Sequence, residues 1–535
     1  MGMRKMFPVA VQAPGRDINF AAPMGGWNAR DPLIEMPTKD AVYLENFFPR
    51  GTSVEVRKGC QQIAQVPTDT PDSPHIIRTL LNYSAATGAE QLFAACEDGI
   101  YDVTAGLTLP GTPHNATTPA YTPTTPNAVW DFVNVTTAGG AFLIGVNGTD
   151  TPIKYDGSVW SNPSYTGPPD QTKLTSVMAY KSRLYFTYKD SLSFWYGGVN
   201  AIAGALSEFP LAVLCSKGGY LVGIMNWTYA TTLSVTERIA MVTSEGQVVV
   251  YEGYDPSNSA YWSLVGVFDL PKPLSRRCLV KLGGDVGILT ENGLIMMAGA
   301  LRSATPGIST SLTDKIRLAY HDFVEKYKAN SGWELTYHIS EGALFINVPQ
   351  GISSGRSNLS SQLVLNTVSS GWCLFSGWNP TTIRSFGGHL YYANGNKIYR
   401  AWYGQSDAGA VINCRAKTAF MYLGSKGKNK NVSLVKPNFT VSSLVSFKLG
   451  IDTDFSADNY ATSSSFSSFS SGTPTYWDNA YWDTATWDIE SVQAKWRTVS
   501  SKPGGYISFR LALQLKDISL TWNAVDCIVT LGGLL

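Results

Sequence analysis

The chain has 535 residues, 44% hydrophobic and 12% aromatic but only 15% charged, with 15 Trp and 27 Tyr; this is an all-β composition, below the usual quarter or so of charged residues. Lys plus Arg number 41 against 40 Asp plus Glu, a formal net charge of +1, which disfavours a stable DNA binder and leaves room only for a surface that DNA slides past, because tight binding needs clustered cations. The seven Cys (Cys60, Cys96, Cys215, Cys278, Cys373, Cys414 and Cys527) lack CxxC spacing and read as reduced core residues; with no signal-like or membrane-length apolar run, synthesis in a reducing cytoplasm without membrane insertion is expected.

Residues 1–60 carry no repeat and are punctuated by Pro8, Pro14, Pro23, Pro32, Pro37 and Pro49, which predicts an extended N-terminal arm. One short helix is expected inside it, from Thr38 to Asn46, with Thr38 as cap and Pro49 as stop.

Residues 61–405 carry a repeat. A strand, a tight acidic-Gly or Asn-Gly turn and a second strand recur every 42 to 57 residues, opening at Leu92, Phe142, Leu184, Ile239, Val286, Ala343 and Leu390. That pattern predicts a β-propeller of about seven blades. Asn292-Gly293 and Asn394-Gly395 have the residues of type I′ hairpins, and Glu245-Gly246 marks another turn. The Pro-rich segments Val66–Pro74 and Thr108–Pro126 read as loops. Ser311 to Tyr327 breaks the rhythm: Ile316, Tyr320, Phe323, Val324 and Tyr327 fall at helical spacing behind a Ser311 or Thr313 cap, an amphipathic helix inserted between blades. It serves either as a buttress or as a subunit contact.

Residues 406–535 have longer, cleanly alternating strands and predict a C-terminal β-sandwich. Between its halves a Ser-rich stretch leads into Trp477, Trp482 and Trp487, each followed by Asp, an expected exposed excursion. Those three Trp either stack on a partner or on sugar, or fold back as an aromatic cluster. The run of Lys426, Lys428, Lys430 and Lys436 is either a nucleic-acid contact or an ordinary solvated loop.

Nothing in the pattern points to catalysis, a cofactor or a metal. There is no HExxH, Walker loop or His/Cys metal spacing among the motifs. Tyr155 to Trp160, YDGSVW, lacks the Ser-x-Asp-x-Gly order of a sialidase aspartate box and reads as a blade turn.

Three ordered blocks in the first 60 residues carry a family resemblance: Trp27-Asn28-Ala29-Arg30-Asp31-Pro32, then Asn46-Phe47-Phe48-Pro49, then Val54-Glu55-Val56-Arg57-Lys58-Gly59. Two later blocks join them, WSLVGVFDL with RRCLVKLGGDVGILTENGLIMM, and WRTVSSKPGGYISFRLAL. In this order they resemble the tail nozzle, or tail-hub, β-propeller proteins (tail tubular protein B-like) of short-tailed bacteriophages. The resemblance implies a virion tail protein assembled in the host cytoplasm. It further implies a homo-oligomeric, six-fold ring below the adaptor that retains packaged DNA, touches it transiently during ejection, and carries fibre or needle proteins. It implies no catalytic residue, and it marks Trp27, Arg30, Asp31, Phe47, Phe48 and Arg57 as partner-binding candidates. The alternatives are a carbohydrate-binding or carbohydrate-active propeller, built on the Trp-Asp triplet, and a cellular interaction propeller.

Overall fold

A computed structural model describes residues 15–67, 75–85, 87–88, 90–108, 111–230, 235–302, 311–352, 358–423, 427–443, 445–456, 467–469, 491–493, 495–499 and 501–534. The chain divides into two compact units, one of Gly59–Thr367 with Phe375–Ala408, the other of Met1–Lys58, Val368–Leu374 and Gly409–Leu535.

The first unit is the β-propeller. Its blades are antiparallel sheets that follow one another along the chain. Blade 1 is Thr79–Ser84, Glu90–Ala95 and Ile100–Asp102; blade 2 is Asp131–Thr137, Gly140–Val146, Ile153–Tyr155 and Trp160–Ser161. Blade 3 is Leu174–Tyr180, Arg183–Tyr188, Ser193–Tyr196 and Ser207–Pro210, and blade 4 is Leu221–Ala230, Val235–Thr243, Gln247–Gly253 and Trp262–Asp269. Blade 5 is Leu279–Leu282, Asp285–Thr290 and Gly293–Met296, and blade 6 contributes Glu334–His338, Ala343–Ile352 and Asn358–Asn366. Blade 7 is Thr382–Phe386, His389–Asn394 and Lys397–Ala401, completed by Cys60–Gln65 from the other end of the propeller segment.

That last pairing closes the ring. Ala64 lies opposite Ile398 and Cys60 opposite Ala401, so one blade is built from both chain ends of the unit and the disc cannot open without breaking a ladder. His114–Asn115 then pairs parallel to Ala64 and Gln65, covering an edge that would otherwise be unpaired. This gives a short strand inside the segment expected to be loop throughout. Thr124, near the end of the same segment, is held by buried Asp150, whose carboxylate accepts from its backbone N–H and its hydroxyl, both at 2.7 Å.

Each of the seven repeat copies falls on the second strand of a blade. Successive side chains of a strand point to opposite faces, and in a propeller both faces of an inner strand meet a neighbouring blade. Leu92 and Ala94 accordingly pack with Tyr391 and Ile398 of blade 7, whereas Phe93 and Ala95 pack with Trp130 and Leu143 of blade 2. In blade 4, Ile239 and Met241 face Tyr185 of blade 3, and Ala240 and Val242 face Val286 and Ile288 of blade 5. These strands are apolar at nearly every position because neither face sees water. At the Glu245-Gly246 turn the backbone has φ +83°, and a Cβ on Gly246 would sit 2.2 Å from the Leu270 carbonyl oxygen, so glycine is required there.

The expected helix is present as a 3-10 turn, Asp314–Ile316, running into an α-helix, Arg317–Tyr327, with Ile316, Tyr320 and Val324 buried. Its expected cap is not made. Ser311 and Thr313 bond to each other and to the Leu294 backbone instead, fixing the segment to blade 5, and Tyr320 donates to the Thr290 carbonyl at 2.5 Å.

The second unit has two sheets. One joins Lys428–Val441, Leu520–Leu534, Val54–Val56 and Phe47–Pro49, with Arg16–Ala21 also on Leu520–Leu534; the other runs through Gly26–Trp27, Asp40–Glu45, Ile412–Thr418, Ile507–Leu515 and Phe447–Thr453. Phe20 meets Phe509 at 5.1 Å and Phe439 meets Phe447 at 5.4 Å, edge to face between the sheets, which makes the unit a sandwich. Two expectations are corrected. The described part of residues 1–60 is not an extended arm, since its strands complete both sheets of the sandwich up to Lys58. Asp40–Glu45 is a strand rather than a helix, because Gly26–Trp27 and Ile412–Thr418 pair with it on both sides and satisfy backbone groups that a helix would have bonded locally.

Candidate functional site

The first strand of each blade lies innermost, and each touches the first strand of the next blade around a full circle. Together they wall an axial cavity of about 470 Å3 lined by residues of all seven blades, among them Thr79, Asp131, Ser176, Met225, Lys281, Glu334 and Arg384. The volume is that of a small-molecule pocket. Because first strands face this cavity on one edge of the blade, they tolerate the charges that second strands exclude.

Arg277, just ahead of blade 5, spans the cavity. It donates to the Arg78 carbonyl at 2.7 Å and the Thr79 hydroxyl at 2.5 Å in blade 1, to the Thr382 hydroxyl at 3.3 Å in blade 7 and to the Trp130 carbonyl at 3.4 Å at the start of blade 2. Its guanidinium also lies 3.7 Å from Glu334 of blade 6. One side chain thus ties five blades together across the axis.

The two carboxylates of the wall are largely engaged by their own surroundings. Glu334 accepts from the Ile383 N–H at 2.8 Å and the Thr382 hydroxyl at 3.1 Å. Asp131 accepts from the Ser176 hydroxyl, the Val177 N–H at 3.1 Å and the Phe132 N–H at 3.1 Å. Arg384 donates Nε–H to Asn82 Oδ1 at 3.0 Å and lies 4.6 Å over the Phe132 ring. Burial lowers its pKa from the ordinary guanidinium value, opposed by the Glu334 and Asp131 charges. Arg276 donates to the Thr175 carbonyl at 3.0 Å, and burial within the surrounding protein lowers its pKa too, although the residue keeps exposed surface. An arginine as basic as this remains charged at neutral pH in either case.

The residues singled out from sequence lie elsewhere. Trp27 is buried against Tyr43, ring centroids 6.1 Å apart, and Phe47 and Phe48 are wholly buried. Arg57 is buried with its Nε bonded to Asn46 Oδ1 at 2.8 Å. These four are core residues of the sandwich, so their expected role as a partner-binding set is corrected: their side chains have no free surface to offer. Arg30 and Asp31 reach solvent as an ion pair at 2.7 Å, in a loop organised by buried Asn28, whose Oδ1 accepts from both of their backbone N–H groups. The basic run is also not a cluster of surface cations. Lys428 is exposed, but Lys430 is 1% exposed and donates to the Gly505 carbonyl at 2.7 Å, its pKa lowered by burial. Lys426, Trp477, Trp482 and Trp487 lie outside the described residues. Among the described residues, no group of three or more His, Cys, Asp or Glu is placed to hold a metal ion, and no helix is long and apolar enough to cross a membrane.

Sequence reasoning missed Asp131, Arg276, Arg277, Glu334 and Arg384. The available signal was a single charge, or the Arg276-Arg277 pair, at the start of a blade, visible only once the blades are aligned on their second strands.

Neither a protein-family model nor a curated protein sequence matches the chain. Solved structures similar to it include an exo-β-1,3-galactanase from Phanerochaete chrysosporium with galactose, at 8% identity over 75% of this chain and 98% of that one, TM-score 0.24. YCF48 bound to D1 peptide overlaps at 10% identity over 69% and 99%, TM-score 0.33. Raptor from Chaetomium thermophilum overlaps at 10% identity over 65% of this chain and 30% of that one, TM-score 0.37. Such overlaps carry no argument about activity, and the propeller rests on the strand order and ring closure of this chain itself.

Proposed function

We propose that the chain is a structural subunit of a short-tailed phage tail, a nozzle or hub protein that assembles with further copies of itself into a ring through which DNA is retained and released. The ordered sequence blocks, the rigid closed disc and the additional β-sandwich support this reading. The observation that carries it is the outer strand of blade 4, Trp262–Asp269, whose Leu264 and Val265 are 43% and 37% exposed. Beside it Tyr254 and Tyr261 stack at 5.0 Å, each half exposed. No Lys or Pro interrupts this edge, and natural edge strands are usually guarded by such residues. An unguarded apolar edge inside one of the family-like blocks suits a heterologous contact, which closes into a ring when the rotation fits.

The test is the mass of the purified chain, alone and with tail partners, for the wild type and Leu264→Lys. Ring assembly predicts an oligomer that Leu264→Lys reduces to monomer while its unfolding midpoint stays near that of the wild type, since surface changes usually cost under about 0.5 kcal/mol. A wild-type chain that stays monomeric both alone and with tail partners would remove the proposal.

A further inference from the structure

The axial cavity holds more positive charge than its carboxylates engage. Arg277 alone forms an ion pair with Glu334. Among the described residues, Arg276 makes a single hydrogen bond, from Nη1 to Thr175, and Arg384 a single one, from Nε to Asn82. Both line the cavity, so Nε and Nη2 of Arg276 and both terminal nitrogens of Arg384 keep donors that no protein acceptor takes. Buried Arg57 in the sandwich, by contrast, bonds both Asn46 Oδ1 and the Lys58 carbonyl.

We propose that the propeller axis is a binding site for a small anion carrying more than one oxyanion group, phosphate or carboxylate, held by Arg276 and Arg384. A guanidinium presents a rigid fork that matches such oxygens bidentately. The Phe132 ring lies 4.6 Å beneath the Arg384 guanidinium, and the seven-bladed wall surrounds the cavity, so attraction is screened less than at an open surface. Asp131 and Glu334 keep their charge while accepting from backbone N–H groups and hydroxyls, but the four cations of the wall, Arg276, Arg277, Lys281 and Arg384, outnumber these two carboxylates. With a chain net charge of only +1, general attraction for anions is weak and the effect is local to the axis.

Isothermal titration of the full-length protein with pyrophosphate and with citrate, at constant ionic strength, tests this. The expected result is one saturable site per chain for at least one of the two, with affinity reduced tenfold or more in both Arg276→Gln and Arg384→Gln. The tighter of the two anions assigns the site to phosphate or to carboxylate chemistry. Arg276 is solvent-exposed and makes one bond, so Arg276→Gln keeps the test decisive if Arg384→Gln does not fold. No saturable heat with either anion, or affinity within twofold of the wild type in a folded variant, overturns the assignment.

Discussion

Asp452 stands between two cations in the sandwich, with Lys417 Nζ at 2.7 Å and Arg510 Nε at 2.9 Å, and all three side chains are nearly or fully buried. The Asp452 oxygens meet these groups as ion pairs rather than as well-directed hydrogen bonds, and Lys417 gains a further acceptor in the Ser456 carbonyl at 2.9 Å. Taking charges out of water is costly, so removing one member is worse than replacing the set. Asp452→Asn should therefore lower stability by about 3–5 kcal/mol in urea unfolding, and adding Arg510→Met should recover part of it; a loss under about 1 kcal/mol would mean that the carboxylate is not needed to hold the two cations. None of this was legible in the sequence, where the three residues sit in separate strands that only the sheet brings together. Arg57 shows the converse difficulty. It lies in a block that resembles a phage family, but such a block marks a core contact as readily as a contact surface, and burial decides for the core.

Among the elements, the strands that pack on both faces were the legible ones. Second strands of the blades are apolar with little alternation, and several, as at Glu245-Gly246, Asn292-Gly293 and Asn394-Gly395, lead into a tight glycine turn, so the series announces itself. First strands carry mixed charges, and third and fourth strands can be as short as Trp160–Ser161, too short for a pattern. The strand Asp40–Glu45 was mistaken for a helix because Ala41, Leu44 and Glu45 satisfy helical spacing, while the partners that make it a strand are supplied by the distant segment Ile412–Thr418. Closure of the ring by Cys60–Gln65 was hidden for the same reason. Its Ile63, 1% exposed, packs in the cluster shared by blades 7 and 1. Ile63→Ala should cost about 2–5 kcal/mol, the range for deleting a buried aliphatic side chain. If the strand is the latch, hydrogen exchange should rise first in Thr382–Ala401; a uniform rise across all blades would argue that closure is not a local weak point.

For the whole molecule, the question is where DNA would run if the chain serves a tail. The propeller's own axis is unsuited to it. A cavity of about 470 Å3 is crossed by Arg277, which bonds blades 1, 2 and 7 at once, whereas the major groove of a duplex by itself admits a helix about 10–12 Å wide. On the proposed role the lumen is therefore enclosed between subunits, and the axial arginines stiffen each disc without lining the DNA path. Arg277→Met should then cost on the order of 1.5–3 kcal/mol through lost charge-assisted hydrogen bonds, visible as a lower melting temperature of the purified chain. Particles carrying it should nevertheless retain and eject their genome as the wild type does, because opening the axis of a disc leaves an intersubunit lumen unchanged. Spontaneous genome leakage from particles that assemble normally with Arg277→Met would place the DNA path through the propeller axis and reverse that assignment.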